Sequence, residues 1–273
     1  MDPIIPLATD EIHLWLASYD EVLENLRPTY RELLNAEERL QERRFYFEKD
    51  RRRYLVTRAL VRTVLSRYAS VLPAAWTFSS NAYGRPEIAN VEGSVAGLSF
   101  NISHTHSLIV LGVTRSRALG VDVENVRARE VSLDIARRYF APVEVEHLSL
   151  VPPHEQQYRF FEYWTFKESY IKARGMGLSL PLDKFSFHYP HDRGVALAID
   201  PELADDAARW ELWQFRPSPE YLVAICAERT GVQPSRLTVR RAIPMLSERT
   251  VSPVFLRVTD AVSVGHEHSL QES

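Results

Sequence analysis

The chain has 273 residues, 45% hydrophobic and 25% charged, with 33 basic and 36 acidic side chains for a net charge of −3. That profile excludes a disordered chain, and its near-neutral balance gives no global reason to expect a nucleic-acid partner. A single cysteine, Cys226, excludes a disulfide framework and a thiolate-only metal site.

No apolar run approaches the roughly 18 residues of a membrane-spanning helix. The opening MDPIIPLATDEIHLW lacks a basic segment followed by an apolar one, so no secretory signal is expected. The expectation is a cytoplasmic protein with no membrane partner. Length favours two domains, or one domain of two lobes.

Along the chain, Ile12–Leu16 alternates like a first strand. Residues 28–70 read as helical. From Glu37 to Arg67 there are ten Lys/Arg against five Asp/Glu, an excess of five in a chain of net −3. Such a run is either a solvated helical face laced with ion pairs or a surface for phosphates and acidic partners. Short strands are expected at Trp76–Phe78, Ser99–Ile102 and Leu108–Val113, with a turn at Asn81–Pro86. A further strand covers Leu119–Glu124, and helices are expected over Ile135–His147 and Gln156–Arg174, the latter stopped by Gly175. Strands follow at Phe185–Tyr189, Val195–Ile199, Trp210–Phe215 and Tyr221–Ala227. This element order repeats, which divides the chain into an N-terminal lobe (1–115), a C-terminal lobe (116–240) and a weakly patterned tail (241–273) expected to be partly disordered.

Three stretches carry chemistry. In Gly120-Val121-Asp122-Val123-Glu124 the two carboxylates share one face of a strand while the valines point into the core. In Trp164-Thr165-Phe166-Lys167-Glu168-Ser169-Tyr170-Ile171-Lys172, Glu168 and Lys172 stand one helical turn apart. Asp122, Glu124 and Glu168 would suit a magnesium ion, which prefers a few carboxylates and leaves room for substrate phosphates. Phe100-Asn101-Ile102-Ser103-His104-Thr105 ends a strand in polar side chains, with His104 able to meet a phosphate or a proton. Gly84-Arg85-Pro86 offers a backbone N–H and a guanidinium to an anion.

Together these blocks resemble the paired signatures of the 4'-phosphopantetheinyl transferases. The Asn81–Pro86 turn, the Phe100–His104 segment and Gly177-Leu178-Ser179-Leu180-Pro181-Leu182 resemble the larger, surfactin-synthetase-activating type. The resemblance spans roughly residues 40 to 190 and fades towards 230. It implies an α+β, pseudo-dimeric two-lobed fold, each lobe a small, mostly antiparallel sheet with packed helices, acting as a monomer. It implies transfer of phosphopantetheine from coenzyme A to a serine of an apo acyl, peptidyl or aryl carrier protein, releasing 3',5'-ADP. Magnesium, or manganese in its place, would be held by Asp122, Glu124 and Glu168. Glu168 would also be the base for the carrier serine. Lys172 would assist the departing ADP, and His104, with Ser103 beside it, would lie near the 3'-phosphate of coenzyme A. Arg53 matches a basic residue near the coenzyme phosphates, and Gly84, Arg85 and Pro86 match a block on the same ligand, with Arg85 where the family usually has lysine. Glu38 and Gln41 stand where two upstream lysines would be, with Arg39 or Arg43 as substitutes. A non-enzymatic adaptor for an acidic partner, or a different magnesium enzyme such as a nucleotidyl transferase, are the competing readings.

Overall fold

The computed structural model describes residues 3–128 and 130–260. Among these, six helices and thirteen strands form a mixed α+β architecture. A five-stranded sheet has the order β12-β11-β1-β5-β4, from Ser247–Val251, Arg236–Ile243, Glu11–Ser18, Leu108–Arg115 and Leu98–His104. A four-stranded sheet has the order β13-β9-β10-β6, from Phe255–Val258, Trp210–Ser218, Tyr221–Glu228 and Leu119–Asn125. Two hairpins, β2–β3 (Phe78–Ser80, Pro86–Ile88) and β7–β8 (Phe185–His188, Ala196–Ile199), complete the strands.

Side-chain alternation builds the layers. On β1, Trp15 and Ala17 face an apolar cluster shared with the helices α1 (Arg27–Leu33) and α3 (Glu48–Leu65). The opposite face, Ile12, Leu14 and Leu16, packs against Val121 and Val123 of β6 and Val223 and Ile225 of β10. The even positions of β10, Leu222, Ala224 and Cys226, then face α6 (Pro153–Arg174) and its Phe166 and Tyr170. The order is helix, sheet, sheet, helix. Strands buried on both faces carry apolar residues at nearly every position, as β1 and β10 do.

The long helical run of the sequence is three helices. Leu34 is extended and ends α1, and Asn35 begins α2 (Ala36–Arg44) with a reciprocal cap: its Oδ1 accepts from Glu38 N at 2.8 Å, and its own N–H is donated to Glu38 Oε2 at 3.1 Å. Phe45 and Phe47 are extended and separate α2 from α3. Likewise the expected helix over Ile135–His147 is two, α4 (Leu133–Tyr139) and α5 (Pro142–Leu150). Pro142 has no N–H to continue α4, and it pushes Ala141 to an extended conformation. Trp76 lies before β2, in the stretch that follows a 3-10 turn at Pro73–Ala75.

Four strands lie where the sequence pattern gave no strand: β3 directly after the Asn81–Pro86 turn, and three near the end of the chain. β11 crosses the expected boundary at 240 and pairs in parallel with β1, Leu14 opposite Val239. β12 extends that sheet, and β13 joins β9 of the other. The 241–260 part of the tail is therefore built into both sheets; residues 261–273 lie outside the described residues.

Candidate active site

The site forms where β6 meets α6 and the free edge of β4. Gly120, Asp122 and Glu124 share the β6 face that looks onto α6. Contact there is so close that a Cβ on Gly120 would lie 1.9 Å from the Ser169 carbonyl oxygen and 2.4 Å from the Ala173 nitrogen. Glycine therefore lets the helix lie directly on the strand, which carries Asp122 and Glu124 to Glu168 and Lys172.

β4 and β6 share no backbone ladder. Instead, side chains of β4 and of Thr105 just past its end take the outward N–H groups of β6: Asn101 Oδ1 accepts from Val121 at 2.8 Å, Ser103 Oγ from Val123 at 3.4 Å and Thr105 Oγ1 from Asn125 at 3.2 Å. This seam joins the two sheets and satisfies a strand edge that water would otherwise have to reach. It also brings Ser103 Oγ within 2.9 Å of Asp122 Oδ1.

Lys172 Nζ donates to Asp122 Oδ1 at 2.6 Å and to Ser103 Oγ at 2.9 Å. Asp122 is buried, and its second oxygen, Oδ2, is buried with no partner in the described structure. Glu124 Oε1 accepts from the Trp164 indole at 3.1 Å. Glu168 is held above the ordinary carboxylate range, first by burial and then by the charge of Asp122, with Lys172 opposing. His104, at the exposed end of β4, is held below the ordinary histidine range by partial desolvation, then by Arg53, then by Lys172, with Asp122 opposing.

Asp122, Glu124, Lys172, Ser103, His104, Pro86 and Arg53 all line one cleft of about 420 Å³, between α3 and β6. Arg53 also pairs with Asp50 at 3.1 Å. The cleft has a further wall that sequence reasoning missed: Phe45, Tyr54, Thr57 and Arg58. Arg53 and Thr57, and Tyr54 and Arg58, are each one helical turn apart on α3, so this wall follows the helical spacing of the run and not its excess of charge. The Arg58 guanidinium lies 5.2 Å over the Tyr54 ring, and Thr57 Oγ1 is buried without a partner.

Gly84 and Arg85 lie differently from the anion-binding expectation. Gly84, at φ 83°, gives its N–H to the Asn81 carbonyl at 3.0 Å. Arg85 donates to the carbonyls of Lys172 at 2.8 Å and Leu119 at 3.1 Å, while Asn81 Nδ2 holds the Gly175 carbonyl at 3.0 Å. The turn thus clamps the C-terminal end of α6, where unsatisfied carbonyls attract donors. Only Pro86 of that block faces the cleft.

Much of the arginine-rich run is likewise engaged within the fold. Arg62 is fully buried, donating to Glu38 Oε2 at 2.6 Å and to the Trp76 carbonyl at 2.8 Å. Glu38 is therefore a cap and an ion-pair partner. Arg39 reaches the Arg31 carbonyl at 3.1 Å. Arg43, Arg44 and Lys49 are left on the surface.

Lys167, between Phe166 and Glu168, is fully buried. Its ammonium donates to Glu144 Oε2, the Leu182 carbonyl and the Phe185 carbonyl, each at 2.7 Å, so all three protons are used. This pins α6 to α5 and β7, and with them the rotation that turns Glu168 towards β6.

Asp122 and Glu124 line the cleft and Glu168 does not, though the charges of Asp122 and Lys172 reach it; among the described residues no three of His, Cys, Asp and Glu converge on a single point as a metal site. Here the Lys172 ammonium holds Asp122 and the Trp164 indole holds Glu124. The donor set nonetheless fits a hard divalent cation: oxygen donors, plus one buried carboxylate oxygen with nothing to bind. Among the described residues, no helix is long and apolar enough to cross a membrane.

Two family models match the chain. Residues 118–226 match the 4'-phosphopantetheinyl transferase superfamily, and residues 18–116 match the 4'-phosphopantetheinyl transferase N-terminal family. The chain is 32% identical over 236 residues to the 4'-phosphopantetheinyl transferase HetI of Nostoc sp., covering 85% of this chain and 94% of that protein. It is 36% identical over 194 residues to a 4'-phosphopantetheinyl transferase of Bacillus subtilis, covering 71% and 82%. A phosphopantetheinyl transferase of Thraustochytrium sp. is 33% identical over 211 residues, covering 71% and 70%.

Proposed function

From the premise that the chain belongs to the 4'-phosphopantetheinyl transferase superfamily, we propose that it moves phosphopantetheine from coenzyme A to a serine hydroxyl of an apo acyl, peptidyl or aryl carrier protein, releasing 3',5'-ADP. The observation that carries this reading is the Asp122 carboxylate. One oxygen rests on Lys172 and Ser103, the other is buried and unpartnered, and the same cleft holds Arg53 and His104.

In this reading Asp122, with Glu124 and Glu168, holds Mg²⁺ or Mn²⁺. Bound there, the ion would neutralise charge on the pyrophosphate oxygens. Arg53 and His104 orient the coenzyme by its phosphates. Glu168 accepts the proton of the carrier serine, since a hydroxyl is a weak nucleophile and a carboxylate with a raised pKa is a better base. The serine oxygen forms a bond to the phosphorus that bears pantetheine, and the bond from that phosphorus to the 3',5'-ADP oxygen breaks. The Lys172 ammonium neutralises the departing phosphate. Gly84 and Arg85 serve the coenzyme indirectly, by fixing the end of α6 that carries Lys172.

We read the halves up to 115 and from 116 to 240 as similar lobes of a pseudo-dimer that acts as a monomer in the cytoplasm. The test is release of 3',5'-ADP from coenzyme A, dependent on both magnesium and an apo carrier, scored with the mass gain of the carrier. A panel drawn from fatty-acid, polyketide and nonribosomal-peptide carriers identifies the target. Consumption of a nucleoside triphosphate with indifference to coenzyme A would overturn the reading.

A further inference from the structure

The Ser103 hydroxyl is the point where the seam between the two sheets meets the Lys172–Asp122 pair. A serine hydroxyl has one proton and two lone pairs. The proton goes to Asp122 Oδ1 at 2.9 Å. The lone pairs take Lys172 Nζ at 2.9 Å and, more weakly, the Val123 N–H at 3.4 Å. All of its hydrogen-bonding capacity is therefore used inside the protein, and the side chain is buried. A phosphate dianion offers only acceptors, so this hydroxyl has no proton left for one. The family resemblance would set Ser103 beside the 3'-phosphate of the coenzyme; its bonds turn it instead towards β6 and α6.

The consequence falls on Lys172. Its ammonium has three protons. Two are held, by Asp122 Oδ1 at 2.6 Å and by Ser103 Oγ, and among the described residues the third has no partner. Around a tetrahedral nitrogen, two fixed N–H directions and the bond to Cε determine the last one. Held by Asp122 alone, the ammonium could swing about a single contact, because lysine ends in a flexible four-carbon stem. Asp122 is fixed in the same way. With Oδ1 bonded to both Ser103 and Lys172, the carboxylate cannot exchange its oxygens, and Oδ2 stays the one without a partner. Ser103 is in turn held by both sheets, opposite Val110 of β5 and against the Val123 N–H of β6.

We propose that Ser103 is a positioning residue for the transfer: its hydroxyl locks the Asp122 carboxylate and fixes the remaining N–H of Lys172, and it gives no bond to the coenzyme. The inference deepens the transfer reading above and rests on it.

The experiment uses the full chain with magnesium, coenzyme A and an apo carrier protein, and compares Ser103→Ala with Ser103→Thr and Thr105→Val. Thr105 makes the next bond of the seam, to the Asn125 N–H, and among the described residues it bonds to neither Lys172 nor Asp122. Thr105→Val therefore measures a loosened seam alone. Ser103→Ala is expected to lower kcat about tenfold, an ordinary size for one hydrogen bond to a charged group. The KM for coenzyme A, and the preference for coenzyme A over 3'-dephospho-coenzyme A, should each stay within about twofold. Ser103→Thr keeps the hydroxyl and should recover most of the loss, while Thr105→Val should leave kcat within about twofold. A raised KM for coenzyme A together with a lost preference over the dephospho compound overturns the proposal and returns Ser103 to the 3'-phosphate. A drop in kcat as large in Thr105→Val as in Ser103→Ala also overturns it, since the seam would then be the cause. Absence of transfer by the unaltered enzyme overturns the transfer reading itself; an active enzyme with a normal kcat in Ser103→Ala overturns the role of Ser103 alone.

Discussion

Lys172 and Asp122 meet at 2.6 Å across the α6–β6 contact, leaving the far oxygen of the carboxylate buried and unpartnered. The pair is both a structural joint and the centre of the proposed chemistry, so substitutions there should not be structurally silent. Asp122→Asn keeps the shape but removes the charge. It is expected to lower transfer at least about 100-fold and stability by about 1 kcal/mol, because Lys172, a quarter exposed, can turn to water. Turnover measured together with urea unfolding checks both, and near-normal turnover would remove Asp122 from the chemistry.

Glu168 makes function and stability pull in opposite directions. Its pKa is raised in the folded protein, so the folded state holds the proton more tightly than the unfolded chain. Stability from this group is full below the unfolded value, near 4.5, and is lost as pH rises through the higher folded value. At neutral pH its charge therefore destabilises the fold. Glu168→Gln is expected to raise Tm at pH 7 while cutting kcat at least about 100-fold. In the unaltered enzyme, kcat/KM should fall with acid at a pH above that of an ordinary carboxylate.

His104 should report the coenzyme's phosphate through proton uptake. Its pKa is lowered in the free protein, and an adjacent phosphate dianion would raise it. Binding then takes up a proton and tightens as pH falls from the bound-state pKa towards the free one. Titration calorimetry in two buffers of different ionisation enthalpy reads the uptake directly. With 3'-dephospho-coenzyme A, or with His104→Ala, the uptake should vanish; persistence with the dephospho compound would move His104 away from the 3'-phosphate.

Gly120→Ala tests the contact that assembles the site. The added methyl would enter the backbone of α6 at Ser169 and Ala173, which cannot rotate aside. A loss of about 3 kcal/mol is expected, with activity reduced even where the variant stays folded, because β6 and α6 must separate. Thermal unfolding and turnover at low temperature distinguish the two effects.

Arg62→Ala should be among the most damaging changes at a residue that does not line the cleft. It leaves Glu38 buried beside an empty space and removes a donor from the Trp76 carbonyl. The expected cost is about 3–5 kcal/mol, read by urea unfolding. Arg43→Ala, on the solvent side of α2, should cost nothing measurable.

Helix α6 and strand β6 were legible because their signals are local: helical spacing closed by Gly175, and strict alternation around Asp122 and Glu124. The resemblance groups Ser103, Asp122, Glu168 and Lys172; of these the fold joins Ser103, Asp122 and Lys172 by hydrogen bonds. What stayed hidden depends on partners distant in sequence. Nothing around Arg62 or Glu38 says that they neutralise each other, and nothing around Arg85 says that its guanidinium will be absorbed by carbonyls of α6 and β6. The tail strands were missed for the same reason. Arg236–Ile243 is rich in arginine, and its pairing with β1 is decided by the far end of the chain.

That pairing sets a schedule for synthesis. β1 can take β5 as a neighbour soon after residue 115 leaves the ribosome, but its other edge waits for residues 236–243. At ordinary translation rates the interval is on the order of 10 s. Throughout it, a long apolar strand presents an open row of N–H and C=O groups, the feature that recruits foreign strands. Chaperone capacity during expression, more than the stability of the finished molecule, should then govern the yield of active enzyme.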